Sequence, residues 1–211
     1  VACEGDYDTF HMQRRESAYI FRKRGGVCLG AGPGRSFQEA KFDFPHVRDY
    51  LMDRGVMGDV SETSTTWKNL IPLYKVTLAA IEKAIQDTGV KPWVGCHISH
   101  NYHTGASLYF TFGCRQIKGR EMEQYLYIKK AAEDAFMANG GSVSHHHAVG
   151  TEHLPWIEED ISPTGVKAVK ALKDGLDPKG VMNPGKIIPG ESPLKEWGLT
   201  EEAIESFNKA D

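Results

Sequence analysis

The stretch Ala106-Ser107-Leu108-Tyr109-Phe110-Thr111-Phe112 alternates with period two. Ala106, Leu108, Phe110 and Phe112 fall on one side and Ser107, Tyr109 and Thr111 on the other, as successive side chains of a strand do. The run before it alternates as well, with Val94, Cys96 and Ile98 against Gly95, His97 and Ser99. Asn101-Tyr102-His103-Thr104-Gly105 lies between them with the composition of a hairpin loop. Paired antiparallel, the two strands place His97, Ser99, Ser107, Tyr109 and Thr111 on one polar surface. Such a face is either the solvated side of a sheet or a surface that meets a ligand. The pattern leaves both open.

Working outward, residues 1–5 read as a short strand and residues 8–24 as a polar helix stopped at Gly25-Gly26. Gly25 to Gly34 is glycine-rich but lacks the spacing of a phosphate-binding loop and no clear helix follows it, so a loop is expected. Residues 44–55 suggest a short helix and 56–61 a strand. Trp67, Leu70, Ile71, Tyr74, Leu78, Ile81 and Ile85 recur at helical spacing and read as core. Another helix is expected over 121–138, with Met122, Tyr125, Leu126, Ala132 and Phe136 on one side, ending at Asn139-Gly140-Gly141. Helices over 164–175 and about 200–209 follow. The order gives an α+β fold, an antiparallel sheet with helices on one face. The domain reading is a cap or substrate domain over 1–140, a histidine loop and helical segment over 141–190, and a tail helix over 191–211.

With 211 residues, 40% hydrophobic and 25% charged, the chain has the composition of a globular domain. A net charge of −3 gives no reason to expect nucleic acid as a partner. The four cysteines, Cys3, Cys28, Cys96 and Cys114, have no C-x-x-C spacing, which argues against a zinc knuckle. The start at Val1, without methionine, leads us to expect a piece of a longer protein.

Directly after the second Gly-Gly stop comes His145-His146-His147, and seven of the nine histidines fall between His97 and His153. In an extended segment His145 and His147 would share a face and His146 would oppose them. Imidazoles suit proton transfer, anion contact or metal binding. Ligands for a metal could come from His-x-His with His97 or Glu152, but no fixed metal-binding framework is present and no metal is expected. Tyr109 could donate or relay a proton once its phenol is tuned. Arg48 could hold a phosphate or carboxylate, or simply pair with Asp49 or Asp53.

Four stretches carry a resemblance to a family. They are Val47-Arg48-Asp49-Tyr50 with Glu62-Thr63-Ser64-Thr65-Thr66-Trp67; Gly105-Ala106-Ser107-Leu108-Tyr109-Phe110; Asn139 through Gly150; and Asp177-Pro178 leading to Asn183-Pro184-Gly185-Lys186. The chain resembles the C-terminal, ferredoxin-like cap of FAD-linked oxidases of the vanillyl-alcohol oxidase type, above all the alkyldihydroxyacetonephosphate synthase branch. That resemblance implies FAD as cofactor and an N-terminal FAD-binding domain outside this stretch. It implies exchange of the acyl chain of acyl-dihydroxyacetone phosphate for a fatty alcohol, which forms an ether lipid precursor. Related enzymes oxidise hydroxy acids or alcohols, and a non-catalytic metal-binding domain is the reading of a different class. By resemblance Tyr109 matches an acid/base tyrosine, His145, His146 and His147 match histidines near flavin and substrate, Arg48 matches a substrate-binding arginine, and Asn183 a cofactor contact. The resemblance further implies a homodimer, a peripheral membrane contact, and a cytoplasmic location in a bacterium or a peroxisomal one in a eukaryote. The isolated chain is expected to bind FAD weakly and to be inactive. Ala148, Thr151 and Val60 depart from the synthase pattern, which carries a glycine, a basic residue and a small hydroxyl residue near those positions.

Overall fold

The computed structural model describes residues 3–43 and 45–208. They divide into two compact units, one up to Asp49 and one from Tyr50 on. The first contains α1 (Tyr7–Lys23), α2 (Gly32–Ala40) and the start of α3 (Pro45–Met52). Asp6 caps α1 by accepting from the Thr9 backbone N–H at 2.8 Å. Neither α1 nor α2 buries a residue within the unit. The strand expected over 1–5 falls partly outside the described residues, and residues 3–5 are not extended into a strand. A helix does follow the glycine-rich run: Pro33 near the start of α2 supplies a backbone already set for a first turn.

The second unit is built on β1 (Val56–Thr66), α4 (Leu70–Asp87), β2 (Trp93–Asn101), β3 (Gly105–Arg115) and α5 (Glu121–Ala138). The sheet order is β1-β3-β2, with both outer strands antiparallel to β3. The βαββα order with β3 inserted between β1 and β2 is the split βαβ arrangement of ferredoxin-like folds. Alternation in β3 does what the sequence indicates. Ala106, Leu108, Phe110 and Phe112 are buried against Leu73, Ile81 and Ile85 of α4 and Ile128 and Phe136 of α5. Phe110 stacks between Tyr74 and Phe136, with ring centroids 6.3 and 5.8 Å away. Helices therefore cover one face, and the polar face is left for other use.

Some helix positions differ from the periodic reading. Trp67 precedes α4, where its indole N–H donates to the Tyr102 carbonyl at 2.9 Å and ties down the hairpin. Ile71 and Met122 are exposed, and Leu126 packs instead against Leu199 and Ala203. The expected helix over 164–175 is the second part of α6 (Ile157–Leu176), which is interrupted at Ser162 because Pro163 disfavours helical geometry before it. Short α7 (Pro193–Trp197) and α8 (Glu201–Asn208) complete the described chain. None of its helices is long and apolar enough to cross a membrane.

The outer edge of β1 decides what happens next. A ferredoxin-like sheet would add a strand there, but in this chain an irregular segment takes the place. The Ser142 N–H donates to the Ser64 carbonyl at 3.1 Å, and the Ser64 N–H donates to Ser142 Oγ at 3.0 Å. Thr63 Oγ1 donates to the Ser142 carbonyl at 2.6 Å and Thr65 Oγ1 to the Gly140 carbonyl at 2.8 Å. Gly140 turns the chain out of α5 at φ +71°, and Gly141 passes so close that a Cβ would sit 2.5 Å from Thr63 Oγ1. Edge groups that would otherwise invite another strand are thus satisfied locally.

Further along the same edge, buried Lys129 of α5 donates to the Val60 carbonyl at 2.6 Å and to Ser61 Oγ at 2.9 Å. Its ammonium also pairs with Asp59 and Glu152. Burial alone would depress that amine, but the two carboxylates outweigh it and raise its pKa. One turn on, Glu133 is fully buried, 3.7 Å from His153 Nε2. Burial, opposed by Lys129 and aided by Glu152, pushes its carboxyl up to about 8. The folded state therefore holds a proton on Glu133 that the unfolded chain releases at lower pH. The stability this contributes is complete below the ordinary glutamate range and is lost as pH rises toward about 8. Glu133→Gln, followed by urea unfolding across that window, is predicted to abolish the decline, which is on the order of a few kcal/mol. Parallel pH profiles for the two proteins would show that Glu133 is not protonated in the fold.

Candidate functional site

The polar face of the sheet is organised in rows. Glu62 of β1, Tyr109 of β3 and His97 of β2 stand directly across from one another. In the neighbouring row Ser64 faces Ser107. On the other side of Ser107 the register slips: Ile98 pairs with Leu108 but Asn101 with Ala106, so Ser99 and His100 together oppose one residue. That bulge turns His100 onto the polar face. Ser99 Oγ lies 2.6 Å from Ser107 Oγ and 3.1 Å from His100 Nδ1.

Over this face comes the histidine segment, and Glu62 positions it. The backbone N–H groups of His145 and His146 both donate to Glu62 Oε1, at 2.6 and 2.7 Å. Ser144 Oγ donates to the same oxygen at 3.3 Å and accepts from the His147 N–H at 3.1 Å. Two consecutive amides pointing at one carboxylate bend the chain, so the alternation expected of an extended segment does not hold. All three imidazoles join one cluster. His147 meets Tyr109 edge-on at 5.5 Å, with His146 at 4.4 Å from His147. His145 Nε2 lies 2.8 Å from the Tyr102 hydroxyl. His100 sits 5.0 Å from His145 and 4.9 Å from His146 between ring centroids. His97 approaches Tyr109 at 5.0 Å.

The electrostatics follow from that arrangement. Burial pushes the Glu62 carboxyl up, but the two backbone donors and the nearby His146 and His147 imidazoles outweigh it and hold it below the usual range. It is a permanent buried anion under the histidines. Burial raises the Tyr109 phenol, and the Asp59 and Glu62 carboxylates raise it further, so it stays protonated at neutral pH. Burial lowers His147, with only partial compensation from Glu62, so its imidazole is neutral. A phenol that keeps its proton and an imidazole that lacks one therefore meet at one point, as an acid and a base must.

Beside His147 a hollow of about 320 Å³ is lined by Asp59, Val60, Gly150, Thr151, Glu152 and His153. Val60 and Thr151 both line it. Ala148, which follows the triplet, has φ +64°, a left-handed conformation that glycine adopts more readily. His153 Nδ1 donates to its carbonyl at 2.7 Å and helps hold that turn.

Of the residues singled out from sequence, the structure gathers Tyr109, His145, His146 and His147. Arg48 belongs to the other compact unit, where its exposed guanidinium lies 3.6 Å from Asp49. Asn183 lies on an exposed loop at φ +46°, near the point where the Val181 and Met182 N–H groups donate to Asp177 at 3.0 and 2.9 Å. Glu62, His100 and Tyr102 were not singled out. Glu62 fell past the strand expected over 56–61, which in the structure runs on to Thr66. His100 had no signal, because a bulge is not encoded in alternation. The cluster presents exposed imidazoles and a phenol along one face, ring edges and donors that suit a flat, acceptor-rich ligand ring.

Ala148→Gly is predicted to stabilise the fold by about 1 kcal/mol, by relieving the left-handed strain. Thermal unfolding measures it, and an unchanged or lower midpoint would mean that the turn is not strained.

Comparison with known proteins gives the family and the fold. The family model for "FAD linked oxidases, C-terminal domain" matches residues 34–187. The chain is 34% identical over 196 residues to an alkyldihydroxyacetonephosphate synthase of Trypanosoma brucei brucei, covering 93% of this chain and 32% of that protein. It is 36% identical over 189 residues to the enzyme of that name from Dictyostelium discoideum, covering 90% and 31%. A solved alkyldihydroxyacetonephosphate synthase structure superimposes with a TM-score of 0.60 at 30% identity, over 85% of this chain and 30% of that one. The chain thus spans about a third of the length of these relatives. Its sheet, its helices and the matched residues make it a member of the FAD-linked oxidase C-terminal domain family, whose cofactor is FAD.

Proposed function

We propose that this chain is the substrate-side part of an FAD-dependent enzyme that exchanges the acyl chain of acyl-dihydroxyacetone phosphate for a fatty alcohol. The observation that carries this reading is the meeting of a protonated Tyr109 with a neutral His147 over the Glu62 anchor. The similarity to alkyldihydroxyacetonephosphate synthases over nine-tenths of the chain supports the substrate class.

In the exchange, a carbon–oxygen bond to the fatty acid breaks, a carbon–oxygen bond to the alcohol forms, and the alcohol's proton must leave. The reaction is neutral in electrons overall. Bound FAD would supply an electron-accepting ring at the reacting carbon. The residues of this chain do the rest. Neutral His147 can accept the alcohol proton, and the Tyr109 phenol can donate to an oxygen that gains charge. Tyr102 and Glu62 fix His145 and the backbone around it, so the donors are set before substrate arrives. The histidine face, with its exposed rings, is where the flavin ring would lie. Arg48 is the residue assigned to the substrate phosphate, for which a guanidinium is the natural partner, and Asn183 is assigned to the cofactor side. A homodimer and contact with a membrane surface that delivers the lipid belong to the same proposal.

Tyr109→Phe in the enzyme that carries this chain is predicted to lower ether formation by about 10²–10⁴-fold. Flavin absorbance should be unchanged, because the substitution removes one hydroxyl. Acyl-dihydroxyacetone phosphate and a fatty alcohol are the substrates, and product analysis is the readout. Hydrogen peroxide or acceptor reduction with a hydroxy acid, in place of ether formation, would overturn the assignment in favour of an oxidase.

A further inference from the structure

A second kind of chemistry is built into the same wall. One ring nitrogen from each of His100, His145 and His146 lies within 4.8 Å of the other two. His145 Nδ1 and His146 Nδ1 are 3.1 Å apart. Two of the three rings, His145 and His100, already have one nitrogen engaged. The Tyr102 hydroxyl lies on His145 Nε2 at 2.8 Å, which leaves Nδ1 to face the cluster. Ser99 and Ser107 hydroxyls lie 3.1 and 3.4 Å from His100 Nδ1, which leaves its Nε2. A metal-binding imidazole characteristically has its second nitrogen held by such a partner, which fixes the ring and its tautomer. The Glu62 carboxylate sits behind, 3.4 Å from His146 Nδ1 and 3.8 Å from His145 Nδ1, and provides negative charge for a cation.

We propose that His100, His145 and His146 form a binding site for a divalent transition ion of the zinc class. Three imidazole ligands match zinc's preference and leave its fourth position open. His100 and His146 are exposed, so their rings can turn to bring all three nitrogens within about 2.1 Å of one ion. Hard cations such as magnesium, which need oxygen ligands and water, do not fit this set. The ligands do not include His147 or Tyr109, so the ion would sit beside the proton-transfer pair without occupying it. Binding itself does not depend on the flavin reading, since every ligand lies in this chain.

The test is calorimetric titration of the chain with zinc chloride near neutral pH, with magnesium chloride as the hard-ion comparison. One zinc per chain and no magnesium heat are expected. His100→Ala should weaken zinc by more than about 10-fold, and Tyr102→Phe, which removes only the outer partner, by about 10-fold. His97→Ala, on the same face but outside the cluster, should leave zinc affinity unchanged. Affinity should fall as pH drops through the imidazole range, because protons compete for the ligands. His100→Gln keeps a polar side chain at the position and serves if the alanine variant misfolds. Wild-type affinity in the His100 variants, equal heats from magnesium, or no zinc binding would each overturn the proposal. Zinc binding by a flavin-loaded enzyme that forms no ether in the absence of zinc would instead refute the enzymatic reading alone.

Discussion

One buried carboxylate organises the functional face of this domain. Glu62 is 1% exposed, and its Oε1 accepts the backbone N–H groups of two consecutive histidines. A charged acceptor of this kind stabilises by about 1.5–3 kcal/mol per bond, and leaving it unpaired when buried would cost more. The carboxylate cannot be solvated, so the histidine segment must lie on it. That requirement bends the chain at the triplet and sends three imidazoles to the same side. It also puts a fixed negative charge beneath them, which lowers the cost of a nearby imidazolium or metal ion. Everything proposed for the wall, as a proton-transfer site or as a zinc site, rests on that one contact.

The sheet explains why such a contact is available. In the three-stranded split βαβ, β1 has a free edge, and the serines and threonines along it bind the segment leaving α5. A regular fourth strand would have continued along the edge and carried its side chains alternately to both faces. The irregular segment instead crosses the edge and delivers its histidines to one face. Lys129 satisfies the β1 edge further along, at Val60. Its charge, the Asp59 and Glu152 carboxylates and the protonated Glu133 form a buried polar layer between helix and strand.

The core of this arrangement was legible from composition and period. Period-two alternation around Phe110 identified a strand and its buried side, and the helix over 121–138 ended where two glycines follow. Glycine spacing and helical period are local properties, so they survive in a bare sequence. What alternation could not reveal was non-local. The bulge at Ser99 and His100 depends on pairing with Ser107, and the edge position of β1 depends on strand order. Helical period also overstated the core: Trp67, Ile71 and Met122 carry apolar side chains into exposed or turn positions because the helix boundaries and the tail, not hydrophobicity, decide what is covered there. Of the site, Tyr109 and the triplet were visible as unusual residues. Glu62, which holds them together, fell just beyond the strand expected over 56–61.

The central claim is that Glu62 holds the backbone of the histidine triplet. Hydrogen–deuterium exchange at the His145 and His146 amides measures it directly, in the wild-type chain and in Glu62→Gln. A neutral amide oxygen accepts more weakly than a carboxylate, so exchange at these two amides should quicken by about 10-fold or more, while the β3 amides remain protected. Equal exchange at His145 and His146 in the two proteins would contradict the account, because the triplet would then be held by something other than Glu62.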